Sequence, residues 1–244
     1  MGWKASLIIV QRPEPVVSEE ELLRRLGFPN YKLAGETTLE ECIQPGDSSF
    51  NIGYYNGCLV LADDNQLTEA LEMGSTPEQV VGWEGVLSTL YPESEILTVA
   101  CHSGVNYHLY SLVKGGRKLR YKKVVWGEPI VEYGERLAEE EVVYGYSKVL
   151  DGQRLFRSSY KQDKVYNMTE DQFKEDFTFG VAKRLLGVEL SKEEDEELMF
   201  STPFRKYVAE KGKSAKPTTP KAVAVQSAEK EEEKKSWWRR LFGG

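Results

Sequence analysis

Two turn signals constrain this chain more than anything else in it. Asn56-Gly57 separates the β-rich runs Phe50–Tyr55 and Cys58–Ala62, and Gly115-Gly116 separates Val105–Lys114 from Lys118–Trp126. A two-residue hairpin loop needs positive φ at its central positions, which Asn and Gly supply at least steric cost. Each signal therefore predicts an antiparallel pair. Lys4–Gln11, stopped by Arg12-Pro13, and Ile96–His102 read as further strands, as does Arg154–Tyr160.

Helix signals fall between these runs. Ser18 and Glu21 have capping-box spacing ahead of Leu22, Leu23 and Leu26, and Gly27 ends that helix. Thr76-Pro77-Glu78-Gln79 predicts a second start, with a helix to about Leu90 that buries Val80, Trp83, Val86, Leu87 and Leu90. Thr169 and Gln172 open a third, whose Phe173, Phe177, Val181 and Leu185 keep helical period until Gly187. Thr37-Thr38 precede an expected short strand, Gly127–Gly145 reads as an acidic, irregular segment, and residues 191–208 as short helices at the edge of the body. The fold class expected is α+β, a mainly antiparallel sheet with two or three packed helices and a disordered C-terminal tether.

Composition divides the chain into a globular unit at 1–208, a charged linker at 209–235 and a cationic-aromatic peptide at 236–244. From Lys211 onward nine Lys/Arg face four Glu, a net of +5; against −7 for the whole chain this leaves −12 on residues 1–210. An acidic body repels a phosphate backbone, so nucleic acid is not an expected partner. The linker has no large apolar residue beyond valine before Trp237, too little to offset ordering entropy. In Lys234–Phe242 a helix would put Trp237 and Leu241 on a face shared with Trp238 and Phe242, edged by Lys234, Lys235, Arg239 and Arg240. Trp237, Trp238, Arg239, Arg240, Leu241 and Phe242 are thus the expected docking residues, for an anionic membrane surface or for a groove in a protein partner.

Candidate chemistry is sparse. Cys42, Cys58 and Cys101 show no metal-ligand spacing and suit a reducing compartment. His102 and His108 are the only histidines. His102 and Ser103 at a strand end, with Glu128 or Glu135 nearby, form the weak catalytic set of a small hydrolase. Cys101 and His102, adjacent on a strand, point to opposite faces and so form no simple dyad. The Glu-rich stretch from Glu128 to Glu141 reads as a solvated loop rather than a metal or acid/base site. No cofactor is expected, because no glycine-rich loop has nucleotide-binding spacing, and no metal, because nothing at helical i, i+4 spacing supplies a third ligand to His102 and His108.

Several landmarks in order resemble an uncharacterised bacterial family, a domain of unknown function widespread in actinobacteria. They are Met1-Gly2 with Lys4, Tyr54–Leu61, His102-Ser103 with Val105, Gly116-Arg117 with Leu119-Arg120, and Gly127-Glu128-Pro129 with Gly134-Glu135 and Leu137, over roughly residues 1–190. The chain departs from it at Arg12-Pro13-Glu14-Pro15, where that family has an acidic turn. The resemblance implies a bacterial cytoplasmic protein and no particular activity; the tail, outside it, would place the protein peripherally at the inner membrane. The expected function is a non-enzymatic binding or adaptor protein. A small hydrolase using His102 and an immunity- or antitoxin-like protein, whose acidic face neutralises a basic toxin, are the alternatives.

Overall fold

Ala5 to Val10 are all buried, so the strand they form must be covered on both faces. In the computed structural model, which describes residues 2–44, 48–63, 66–73, 76–157, 165–190 and 192–210, this strand, β1 (Lys4–Gln11), is the fifth of nine in one sheet. Along the chain follow α1 (Glu19–Arg25), β2 (Tyr31–Thr37), α2 (Leu39–Cys42), β3 (Ser49–Tyr55), β4 (Cys58–Asp63), α3 (Gln66–Met73) and α4 (Gly82–Leu90). Next come β5 (Glu95–His102), β6 (Tyr107–Lys114), β7 (Arg117–Val125), β8 (Val131–Tyr133), α5 (Ala138–Tyr144), β9 (Ser147–Leu150), β10 (Gln153–Phe156), α6 (Lys174–Leu186) and β11 (Phe204–Ala209). The sheet order is β2-β11-β3-β4-β1-β5-β6-β7-β8, with every pairing antiparallel, and β9 and β10 form a separate hairpin. The fold is α+β.

One face carries Ala5, Leu7, Ile9, Val60, Leu97 and Val99 against Phe177, Val181 and Leu185 of α6. The other carries Ile8, Val10, Leu59 and Leu61 against Leu22 and Leu23 of α1, Leu71 of α3, and Trp83 and Leu87 of α4. Both hairpins form where the turn residues require. Asn56 and Gly57 have φ of 48° and 71°, and Gly115 and Gly116 have 54° and 69°. Ser18 accepts from the Glu21 N–H, and Gly187 ends α6 at φ 80°.

Four expectations are corrected. Thr37-Thr38 lead into α2, because Thr38 and Glu41 close a reciprocal capping box. Thr76–Gln79 is a turn; α4 starts at Gly82, its N-terminus held by the bond from Val81 N to Glu84 Oε2 (3.0 Å). Gly127–Gly145 is ordered, containing β8 and α5. Residues 191–208 hold two short helical turns and then β11, which lies inside the sheet between β2 and β3. The strand expected at Arg154–Tyr160 is β10, with 158–160 outside the described residues. Residues 211–235 of the linker and all of 236–244 also lie outside them.

Candidate functional site

β7 inverts the usual pattern of a strand. Leu119 is 41% exposed, while Lys118, Arg120 and Lys122 are buried. A register shift sets Lys118 opposite Val113 and Arg120 opposite Leu112, leaving Leu119 as the extra residue of a bulge. The three cations therefore serve both faces. Charges this deep are tolerated only with close partners, and each has one.

On the α4 side, Lys118 Nζ donates to both carboxylate oxygens of Glu84 (2.6 Å each) and to Ser111 Oγ (2.7 Å), while Ser111 Oγ donates to Glu84 Oε1 (2.6 Å). Burial lowers the Lys118 pKa, and Glu84 opposes that shift. On the α6 side, Arg120 clasps Glu140 through Nε (2.9 Å) and Nη2 (2.7 Å), and also reaches Glu132 Oε2 (2.7 Å) and the carbonyl of Gly134 (3.0 Å). Burial works against this guanidinium, but the bonds to Glu140 and Glu132 outweigh it and hold it more firmly protonated than usual. Glu140 in turn accepts from the Leu137 N–H at the start of α5 (2.8 Å).

Lys122 lies deeper. Its ammonium is paired with Glu170, donates to Tyr144 Oη (2.6 Å) and sits over the Phe177 ring at 4.4 Å. Burial depresses its pKa against the pull of Glu170, and burial with the Glu170 charge raises Tyr144 above the usual phenol range. His108 is fully buried, stacked on Phe177 (5.4 Å between centroids, 11° between planes), and neither ring nitrogen has a hydrogen-bond partner among the described residues. Burial, then the Lys122 and Lys174 charges, hold its pKa well below the ordinary imidazole value. The cluster reaches the surface at Glu132, and Arg136 stacks on the Tyr144 ring at 3.9 Å.

The residues expected from sequence are arranged differently. Ser103 donates to Glu175 of α6 and accepts from the Trp3 N–H (2.9 Å). Asn106 donates to Asp171 (2.9 Å). Carboxylates from the α6 region therefore hold the hydroxyl and the amide. His102 is half-buried with its ring against Gly104, and burial with the nearby Lys4 lowers its pKa. Glu128 and Glu135 are exposed. The acidic segment is not simply solvated, because Glu140 is an internal partner of Arg120. Cys101 pairs in register with His108, and burial pushes its thiol up to about 12, far from a thiolate. None of the three cysteines is in a disulfide, and no group suited to a metal ion occurs among the described residues.

Concavities occur among the described residues as well. One, of about 750 Å³, is lined by Gln11, Arg12, Glu14, Glu93 and Lys114. Another, of about 360 Å³, is a groove between α5 and α6 with Val142, Val143 and Gly180 at its apolar part and Glu139, Asp176, Glu189, Lys183 and Lys192 around it. No helix among the described residues is long and apolar enough to cross a membrane. No known protein family, curated protein or solved structure matches the chain.

Proposed function

We propose that this chain is a binding or adaptor protein whose acidic domain holds a protein partner and whose Ser236–Phe242 segment docks on an anionic membrane surface. The charge split carries this reading: +5 beyond residue 210 against −12 before it, with Trp237-Trp238-Arg239-Arg240-Leu241-Phe242 concentrating indole and guanidinium groups. Indole rings suit the headgroup level, and each cation near an anionic surface contributes about 1 kcal/mol, so Lys234, Lys235, Arg239 and Arg240 together supply about 4 kcal/mol. Inside the domain, Lys118, Arg120 and Lys122 are engaged by Glu84, Glu140 and Glu170. On its outside, Trp126 is 74% exposed and Ile130 44%, at either side of the turn joining β7 to β8. An exposed tryptophan of this kind suits an anchor for a protein partner.

Co-sedimentation of the full chain with phosphatidylcholine vesicles, with and without phosphatidylserine, tests the reading. The full chain should pellet with the anionic vesicles and stay soluble with the neutral ones, and deletion of residues 236–244 should abolish pelleting. Equal behaviour of the two chains would overturn membrane docking; loss of a co-purifying protein on the same deletion would instead identify a protein groove as the receptor.

A further inference from the structure

We infer that the groove between α5 and α6 is an intramolecular receptor for the chain's own Trp237–Phe242 segment. This rests on the reading of that segment as the docking element, and adds a means of regulating it. The groove pairs apolar surface with charge of both signs, Glu139, Asp176 and Glu189 beside Lys183 and Lys192. Val142 is 64% exposed, and a Cβ built on Gly180 would meet nothing within 4 Å, so the wall of α6 is open at that point. Its volume of about 360 Å³ lies in the range of sites that take small ligand groups.

The charges in the groove are unequal in their availability. Lys183 is paired with Glu194 (2.9 Å), Lys192 with Glu189 (3.6 Å), and Glu139 with Arg184 (3.4 Å). Asp176 lines the same groove without an ion pair among the described residues. Burial raises its pKa, with Lys192 opposing. Residues 234–244 carry Lys234, Lys235, Arg239 and Arg240 and no acidic residue. An arginine fork on Asp176, with an indole over Val142 and Gly180, would satisfy both halves of the groove.

The tether is long enough. β11 and β5 are four strand positions apart in the sheet, roughly 19 Å, and the helix layer adds roughly 10 Å. Residues 211–235 number 25, and a flexible chain of that length would span roughly 25–30 Å. A chain of that length can therefore reach from the end of β11 to the α6 layer, which gives the segment an effective concentration at the groove.

The test compares the ¹H–¹⁵N spectrum of the full chain with that of a chain lacking residues 236–244. Amides of 139–146 and 176–183 should shift on deletion, and a synthetic 234–244 peptide added to the shortened chain should move them back. Asp176→Lys should abolish the effect. Gly180→Gln fills the groove at a position open to a side chain and covers the case in which the charge reversal misfolds. Both full-length variants should bind phosphatidylserine vesicles about tenfold more tightly than the native chain, if the groove holds the segment about nine-tenths of the time. Unchanged amide shifts on deletion would overturn the inference. Binding of the isolated peptide to the same vesicles is measured separately, so a failed membrane reading and a failed groove reading give different results.

Discussion

The buried side chains of β6 and β7 make opposite demands on pH and pairing. His108 is stacked on Phe177 with Lys122 and Lys174 nearby, so it is neutral in the fold and free to protonate when unfolded. Its folded pKa lies below the unfolded value of about 6.5, so below that pH the unfolded chain binds the extra proton. Stability should therefore fall as pH drops, by up to about 1.4 kcal/mol per unit from this group. His108→Phe keeps the stack and should flatten the slope, which urea titrations at pH 5 and pH 8 would show; an unchanged slope counts against the assignment. The Lys118–Glu84 pair behaves otherwise. Glu84→Leu alone leaves a buried ammonium and should cost about 3–5 kcal/mol. Adding Lys118→Met should recover most of this, but not all, since the Val81 N–H and the Ser111 hydroxyl still lack their acceptor.

At the scale of elements, Arg120 is a clasp: it joins β7 to β8 through Glu132, to the carbonyl of Gly134, and to α5 through Glu140. Gly134 makes the close approach possible. It has φ 81°, and a Cβ there would run into the backbone carbonyl of Leu119. Gly134→Ala should therefore cost at least about 2 kcal/mol in thermal or denaturant unfolding, and hydrogen exchange should show the loss first in 131–144. None of this was legible in the acidic segment, where Glu after Glu reads as solvent-facing. The burial of Glu140 depends on where the bulge at Leu119 aims Arg120, a tertiary fact. The hairpins, by contrast, were legible because Asn56-Gly57 and Gly115-Gly116 carry their backbone requirement locally. Lys118, Arg120 and Lys122 did not announce the cluster, since cations at period two on a strand read as one solvent-facing row, and the bulge that sends Lys118 to the other face is set by pairing with β6.

For the whole molecule the decisive element is β11, which closes the sheet from the far end of the sequence. Phe204-Arg205-Lys206-Tyr207-Val208-Ala209 has only weak alternation, and its strand identity comes from pairing with β2 and β3 on either side. Gly53 in β3 gave the one local hint: a Cβ there would lie 2.7 Å from the Phe204 ring, so glycine marks a close approach inside a strand. Tyr207 and Arg205 also bond Glu19, tying α1 to the same strand. Phe204 and Tyr207 are buried, and two buried aromatic side chains account for roughly 3–6 kcal/mol of gross apolar burial, a large share of the net stability of a typical domain. A chain ending at residue 203 should therefore lose cooperative unfolding and near-UV circular dichroism, because β2 would be cut off from β3. A chain ending at residue 210 should keep both, with a melting temperature close to that of the full chain. If the 203-residue chain melted as cooperatively as the 210-residue one, β11 would be an accessory edge, and the folded unit would end before it.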